Sequence, residues 1–356
     1  MENTKRRHPI LRAILAIILL LILVVVGYFI YVFASFHRIE DNVVLEVEDP
    51  IAVKAQTGVE YSILTWNMGF GAYSDDYSFF MDGGKYSRAF SKEATIDNIT
   101  AMVTKVTEIS PDFVYIQEVD TDSTRSYHVD EKTLIQRYLT GYTSVFAQNY
   151  DSPYLFYPIF CPHGKSVAGI MTAAKYNIES SLRRQLPIET GVMKLLDLDR
   201  CYSVTRVPVE GGKTLCLYNM HLSAYTSDGT IATEQLQMLI ADMEKEHEAG
   251  NYIICGGDFN KDLLGNSAEV FGVSGDDFTW AQPIPSEMIP SWLTKVACSN
   301  APSCRNADRP YDETNFVLTI DGFLVSDNIQ ITFAEVIDLK FKNSDHNPVI
   351  MKFILE

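Results

Sequence analysis

The chain has 356 residues, of which 47% are hydrophobic and 21% are charged. This is an ordinary globular composition and excludes a largely disordered protein. The formal net charge is -17, from 46 acidic and 29 basic side chains, and residues 1–12 contain four of the basic but only one of the acidic ones. The rest of the chain is therefore still more acidic, which disfavours a protein that binds nucleic acid through stripes of lysine and arginine.

The N-terminal segment has the pattern of a membrane anchor. Lys5, Arg6 and Arg7 precede residues 13–36, which contain no charged side chain and are long enough to cross about 30 Å of hydrocarbon as a helix. This apolar run is longer than that of a cleavable signal peptide, which favours an uncleaved signal anchor. Because basic clusters stay in the cytoplasm, residues 1–12 are predicted to be cytoplasmic and the chain beyond the anchor extracytoplasmic, in a single-pass protein of the cell membrane.

Helix and strand patterns alternate beyond a predicted stalk and first strand at residues 37–59. The apolar spacing of residues 93–109 predicts an amphipathic helix, which Pro111 ends. Helices alternate with strands and some strands form hairpins, so we expect mixed sheets packed together with helices outside. Other helices are predicted at 134–139 and 233–248, strands at 61–66, 113–116, 144–146, 168–172, 201–209, 215–220, 252–255, 317–325 and 349–353, and irregular segments at 69–88 and 276–315.

Two of the six cysteines bracket a short polar loop. Cys298 and Cys304 are separated by five residues, and outside the cytoplasm they would form either a disulfide or two free thiols. The sequence leaves both alternatives open.

Five polar patches follow apolar, strand-like runs. Asp and Asn favour turns, so any one patch taken alone is more simply a strand-ending turn. Five patches that combine carboxyl, amide and imidazole groups at strand ends instead indicate a site held by a rigid scaffold. They are Trp66-Asn67, Gln117-Glu118, Asn219-Met220-His221, Gly257-Asp258-Phe259-Asn260 and Ser344-Asp345-His346.

The order of these patches resembles that of the endonuclease/exonuclease/phosphatase superfamily, which includes pancreatic-type deoxyribonucleases, bacterial sphingomyelinases and inositol polyphosphate 5-phosphatases. The resemblance covers residues 61–353 and is most specific at 256–260 and 344–349. It implies an α/β fold, a four-layer α/β/β/α sandwich of two packed mixed sheets, preceded by one transmembrane helix. Residues 60–356 would then form the catalytic domain, with its site at one end of the paired sheets.

The same resemblance implies a divalent metal, Mg²⁺ or alternatively Mn²⁺. Glu118 would be the main ligand, since its hard carboxylate oxygen suits these ions. Asn67 would contribute an amide oxygen, directly or through water, unless it only forms a turn. Asp345 would lie in the metal's outer shell.

The remaining site residues are assigned by the same resemblance. Asp258 would activate or orient the attacking water, and Asn260 would contact the phosphate. His221 and His346 would contact the scissile phosphate, with Asp321 as the partner of His346.

Lys165 has two interpretations. It either reaches the substrate phosphate or is an ordinary solvated loop lysine.

The resemblance implies a phosphoesterase that hydrolyses a phosphodiester by direct attack of an activated water, and tethering and acidity favour a phospholipid or other small phosphodiester. A nuclease would need a basic groove, and no basic run is visible. A phosphomonoesterase would need clustered cations, for which only Lys165, Arg305 and Arg309 are candidates. A non-catalytic binding module is least favoured because the ligand and base positions are intact. Substrate, metal and oligomeric state stay open.

Aromatic residues are frequent in segments 69–88 and 276–315. They either line the mouth of the pocket, where they would stack on a base, a sugar or a lipid head group, or pack onto the domain. They are Tyr73, Tyr77, Phe79, Phe80, Tyr86, Trp280, Trp292 and Tyr311.

Overall fold

The computed structural model describes residues 9–190, 199–224, 230–273 and 281–356. The chain divides into two compact units, of which the first ends at Arg38 and the second begins at Ile39. The first unit contains helix α1 (Pro9–Ser35), 27 residues long, with a mean hydropathy of 3.3 in its most apolar window. A helix of this length extends about 40 Å. It is long and apolar enough to cross a membrane, and it covers the predicted span except for its last residue.

The second unit contains two large mixed sheets. A seven-stranded sheet has the order β1-β6-β7-β8-β9-β13-β10, a six-stranded sheet has the order β14-β15-β2-β3-β5-β4, and β11 pairs with β12. The strands are β1 (Val43–Val44), β2 (Glu60–Asn67), β3 (Phe113–Asp120), β4 (Thr143–Asp151), β5 (Val167–Ala174), β6 (Ser180–Gln185), β7 (Cys201–Pro208), β8 (Thr214–His221), β9 (Tyr252–Asp258), β10 (Leu293–Val296), β11 (Cys304–Arg305), β12 (Val317–Leu318), β13 (Asp321–Ser326), β14 (Ile329–Val336) and β15 (Val349–Leu355).

The helices of the second unit include α2 (Lys92–Ile109), α3 (Glu131–Tyr138), α4 (Thr230–Glu248) and α5 (Ser267–Phe271). Helix α2 forms where predicted because Ser91 caps its first turn by accepting a hydrogen bond from Ala94 N at 3.1 Å. The helix ends where Ser110 takes a left-handed conformation before Pro111. Its apolar side chains recur at helical spacing and face the six-stranded sheet.

Three apolar layers hold the sheets and helices together. Neighbouring residues of a strand point to opposite faces, so Ile63 lies in the core between the sheets and Leu64 lies under α2. Leu236 of α4 packs on the outer face of the seven-stranded sheet in the same way. The result is the expected four-layer α/β/β/α sandwich.

Strand direction brings one end of each sheet to the same place. Strands β2 and β3 run parallel in one sheet, and β8 and β9 run parallel in the other, so the carboxyl ends of each pair lie at one edge. Strand β13 runs antiparallel to β9, and its first residue, Asp321, faces Asp258, which also pairs with His221. The polar patches therefore converge at one end of the sandwich.

The structure corrects several predicted elements. The predicted strand at 317–325 is two strands in different sheets, β12 and β13, because the chain turns where Ile320 N donates to Ser303 Oγ. The segment at 276–315, predicted as irregular, contains β10 and β11, and β14 was not predicted since its exposed edge position weakens the apolar alternation. Cys298 and Cys304 are both buried free thiols.

A close approach of two strands explains one glycine of the most specific motif. Gly257 has a φ of +138°, and a Cβ atom there would lie 2.0 Å from the carbonyl oxygen of Met220 on β8. We expect Gly257→Ala to lower the free energy of unfolding by about 3 kcal/mol or more, because backbone must move. Denaturant titration of the full chain in detergent measures this.

The matched control is Gly211→Ala, whose φ is +97° but whose Cβ would meet no atom within 4 Å. It should cost only the conformational strain, about 1–2 kcal/mol. Equal losses in the two variants would contradict the steric explanation.

Candidate active site

Six predicted site residues gather where the sheets meet. Asn67, His221 and Asp258 are the last residues of β2, β8 and β9, Glu118 lies near the end of β3, and Asp321 begins β13. His346 lies three residues before β15. All except Glu118 are buried, so these groups are held with little freedom.

Asp258 is the centre of the cluster. Its Oδ2 accepts a hydrogen bond from Asn67 Nδ2 at 3.0 Å and lies 3.5 Å from Nε2 of His221 and 3.7 Å from Nε2 of His346. Its Oδ1 accepts from the backbone N–H of Asn260 at 2.9 Å, which closes an Asx turn. Burial, with the nearby charge of Asp321, raises the pKa of Asp258 to about 7, although His346 opposes the shift. A carboxylate with such a pKa can exchange a proton near neutral pH.

His346 is paired with Asp321. Its Nδ1 lies 2.8 Å from Asp321 Oδ2, and Ser303 Oγ donates to the same oxygen at 2.7 Å. Burial disfavours the charged imidazole, but the Asp321 carboxylate outweighs it and raises the pKa of His346 well above its ordinary value. The indole of Trp66 fixes the backbone by donating to His346 O at 2.9 Å. This environment therefore favours the protonated, cationic form of the His346 imidazole.

His221 has the opposite electrostatic character. Burial lowers its pKa well below the ordinary value, and the neighbouring charges of Arg200 and His346 lower it further. Nη1 of Arg200 donates to the carbonyl oxygen of His221 at 3.5 Å, which places that guanidinium beside the site. The site thus combines a neutral and a cationic imidazole. Arg200 was missed from the sequence because it belongs to no motif.

Glu118 projects from an irregularity in its strand. The register of β3 shifts between Ile116 and Val119, and Glu118 has a φ of +54°. A bulge of this kind re-aims a side chain and is common beside active sites. Its Oε1 accepts from Asn67 Nδ2 at 3.2 Å, so one amide contacts both Glu118 and Asp258.

The carboxyl groups of Glu118 and Asp345, here called the Glu118–Asp345 corner, fit a divalent cation. Burial, with the negative charge of Glu118, raises the pKa of Asp345 to about 6 against the opposing charge of His346. A cation between two such carboxylates would relieve their repulsion, and oxygen donors suit Mg²⁺. Asn67 Oδ1 instead accepts from Gly69 N at 3.0 Å, so in this conformation Asn67 orients the carboxylates through its nitrogen.

A second group of side chains could also hold a cation. Ligand atoms of Asp258, Asp321 and His346 lie within 4.8 Å of one another. The hydrogen bond between Asp321 and His346 already pairs a carboxylate with an imidazole that tends to be protonated, which makes this group the poorer metal site.

Buried amides link the two sheets beneath the site. Gln117 Nε2 on β3 donates to Asn219 Oδ1 on β8 at 2.8 Å, and Asn219 Nδ2 donates to Met171 O on β5 at 2.8 Å. Asn260, which has a φ of +47°, donates from Nδ2 to Leu222 O at 2.7 Å. The bonds of Gln117 and Asn219 fix the separation of the two sheets at the site, and the bond of Asn260 joins the segments that follow β9 and β8 within one sheet.

Other predicted residues lie outside the cluster. Lys165 is half exposed, and its Nζ lies 3.2 Å from Asp151. The guanidinium of buried Arg305 donates to backbone carbonyls, including Ser74 O at 2.9 Å, and Arg309 pairs with Asp308. These three cations are therefore engaged elsewhere.

The aromatic residues mostly pack within the domain. Tyr73, Tyr77 and Phe79 are buried in one cluster, and the ring of Trp292 stacks on His247 with centroids 4.4 Å apart. Tyr311 meets Phe341 edge to face. Trp280 lies outside the described residues.

The chain belongs to the endonuclease/exonuclease/phosphatase family, whose profile matches residues 64–346. Members of this family are hydrolases that act on phosphoesters, and they generally use divalent metals. No curated protein matched the sequence.

Solved structures show the same fold at low sequence identity. An endonuclease/exonuclease/phosphatase protein from Beutenbergia cavernae is 17% identical, with a TM-score of 0.60 over 83% of this chain and 72% of that one. ANGEL2, described as a 2',3'-cyclic phosphatase, is 17% identical, with a TM-score of 0.55 over 88% and 99%. The human Nocturnin catalytic domain is 16% identical, with a TM-score of 0.52 over 88% and 97%.

The pairing of His346 with Asp321 can be tested directly. Asp321→Asn removes the charge that stabilises the protonated imidazole, so the pKa of His346 should fall by at least one unit. NMR titration of the imidazole in the full chain, with chelator present, measures this shift.

Asp327→Asn is the control, since Asp327 pairs with His247. It should leave His346 unchanged. An unaltered His346 titration in Asp321→Asn would show that another group sets that pKa.

Proposed function

We propose that this protein is a divalent-metal-dependent phosphodiesterase, anchored by α1, that hydrolyses its substrate by direct attack of water. The main support is the position of Asp258, a buried carboxylate between two imidazoles and hydrogen-bonded to the same amide as Glu118. This arrangement provides a base, a proton-carrying imidazole and hard oxygen ligands within one cluster.

In this proposal Glu118 and Asp345 hold the metal, which we take to be Mg²⁺, and Asn67 orients Glu118. When bound, the metal supplies positive charge that neutralises phosphate oxygens. The role of these residues is to supply carboxylate oxygens at the edge of the sheets. Mn²⁺ has the same ligand preference and is an alternative.

Asp258 accepts a proton from the attacking water as the water oxygen bonds to phosphorus, for which a pKa of about 7 is suitable. The ester P–O bond opposite the attacking oxygen breaks, and the leaving alkoxide takes up a proton from a nearby acid or from water. His346, held protonated by Asp321, donates a hydrogen bond to a phosphoryl oxygen as its negative charge grows. His221 and Asn260 bind the phosphate beside it.

No covalent enzyme intermediate is proposed. Cys304 lies 3.7 Å from His346 Nε2, but burial raises the pKa of its thiol to about 12, so the reactive thiolate is scarce. Water is therefore the nucleophile that the site favours.

The proposed substrate is a phospholipid or another small phosphodiester. A phosphomonoesterase would need clustered cations for the extra phosphate charge, and Lys165, Arg305 and Arg309 are engaged in other contacts. Arg200 lies beside the site but donates to the carbonyl oxygen of His221. A nuclease is less favoured because the chain is strongly acidic. The basic residues before α1 support a cytoplasmic segment at 1–12, an anchor at 13–36, a stalk and first strand at 37–59, and an extracytoplasmic catalytic domain at 60–356.

The proposal is tested with the full chain in detergent, assayed with Mg²⁺ or with chelator. The substrates are bis-p-nitrophenyl phosphate, p-nitrophenyl phosphate, plasmid DNA and phosphatidylcholine or sphingomyelin. We expect metal-dependent cleavage of a diester and little of the monoester. Preferred cleavage of the monoester or of DNA would select the corresponding alternative, and no cleavage of any substrate would argue for a binding module.

Asp258→Asn should lower kcat/KM by roughly 10²–10⁴-fold because it removes the base without changing the shape of the side chain. The matched control is Asp327→Asn, the same chemical change at the other end of β13, and it should leave activity unchanged. Retention of more than a tenth of the activity by Asp258→Asn would exclude Asp258 as the base.

Glu118→Gln should raise the Mg²⁺ concentration for half-maximal activity by about tenfold or more, because an amide oxygen is a weaker ligand than a carboxylate. Glu108→Gln changes an exposed glutamate paired with Lys105 and serves as the control. An unchanged metal dependence in Glu118→Gln would place the metal elsewhere.

A further inference from the structure

The loop between β4 and β5 presents a highly exposed apolar surface. Residues 152–164, here called the apolar loop, contain no Asp, Glu, Lys or Arg. Tyr157 is 63% exposed, Ile159 68% and Phe160 fully exposed. Scattered single apolar residues are common on surfaces, but a contiguous run of large ones marks an interaction site.

The apolar loop is held in place at its base. Leu155 and Gly164 exchange two backbone hydrogen bonds, at 3.0 and 2.9 Å. His163 Nδ1 lies 2.8 Å from Ser87 O, and Arg88 donates to Pro162 O. Burial, with the nearby charge of Arg125, lowers the pKa of His163 to about 4, so the loop carries no charge at neutral pH. The base of the loop is thus fixed, and its apolar tip is held in an exposed position.

Aromatic contacts connect the apolar loop to the candidate active site. The ring of Tyr157 lies 5.8 Å from that of Phe80, which is 4.9 Å from Phe79, which in turn is 5.4 Å from Tyr73. Tyr73 packs against Gly69, and a Cβ on that glycine would lie 3.2 Å from Asp345 Oδ1. The loop is therefore joined to the site through a buried aromatic cluster.

We propose that the apolar loop inserts its tip into the surface of a phospholipid bilayer. Ile159 and Phe160 are the two most exposed large side chains of the loop, which suits them to entering lipid, and tyrosines on the same loop suit the boundary between head groups and acyl chains. The chain also contains a helix able to cross a membrane. A second protein is a less suitable partner, because interfaces between proteins surround their apolar centre with a polar rim, and this loop has no charged residue.

The driving force is apolar burial and not attraction to charged lipid. With 46 acidic and 29 basic side chains, the protein is repelled by anionic head groups. Insertion should therefore occur in neutral phosphatidylcholine. It should not weaken between roughly 0.05 and 0.5 M salt, a range over which the Debye length falls from roughly 14 to 4 Å. This inference concerns a lipid contact and does not depend on the proposed chemistry.

The chain contains a natural probe for this contact. Cys161 is exposed, next to Phe160, and the other five cysteines are buried. The full chain is labelled at Cys161 with an environment-sensitive fluorophore and reconstituted into phosphatidylcholine vesicles. Nitroxide-bearing lipids should quench the label at least threefold more strongly than aqueous iodide does.

The control carries the label at Glu210→Cys in a Cys161→Ser background, on an exposed turn before β8. That label should be quenched by iodide and not by lipid nitroxide. If the Cys161 label behaves like this control, the proposal is wrong. A Cys161 label shielded from both quenchers would also overturn it and indicate contact with a second copy of this chain.

A variant shows whether the tip itself makes the contact. Ile159→Ser with Phe160→Ser changes two exposed side chains and should leave the melting temperature unchanged. Lipid quenching of the Cys161 label should fall at least twofold. Unchanged quenching would overturn the assignment to these side chains.

Discussion

The structure of the candidate site depends on contacts across the two sheets. Asn67 at the end of β2 donates to Asp258 at the end of β9, and Gln117 on β3 donates to Asn219 on β8. Each bond joins one strand from each sheet, and both lie where parallel strand pairs end. Because the amides are buried, breaking either bond would leave polar groups unsatisfied, at a cost of about 1–3 kcal/mol. The sheets can therefore pack in essentially one register at this end, and that register sets every distance in the site.

The same packing creates the electrostatic properties of the cluster. Burial raises the pKa of Asp258 and of Asp345, and it lowers that of His221, so the fold disfavours the charges that the residues would carry in water. His346 keeps its charge because Asp321 is 2.8 Å away. Such an arrangement lowers the free energy of unfolding when no ligand is bound, and a bound cation or phosphate would offset that loss. Strained backbone at Glu118, whose φ is positive, lies in the same region, as expected where geometry serves a site.

The sequence predicted the strand-end residues because carboxyl, amide and imidazole groups directly after apolar runs form a local pattern. Gln117 and Asn219 could be read only as parts of motifs, since their bond joins residues 102 positions apart. Arg200 carries no local signal, and Thr319 and Ile320 gave no sign that the chain changes sheets between β12 and β13. The apolar loop was missed for a different reason. A run of aromatic and aliphatic residues is the usual pattern of a buried strand, and only the structure shows that Phe160 is exposed.

The central claim is that the corner formed by Glu118 and Asp345 is the metal site next to a catalytic Asp258. The most direct test is a crystal structure of the protein soaked in Mn²⁺, with anomalous data that locate the ion. We expect a peak about 2.1–2.3 Å from a carboxylate oxygen of Glu118, with Asp258 free to contact water. A peak among Asp258, Asp321 and His346, or no bound ion at saturating Mn²⁺, would contradict it.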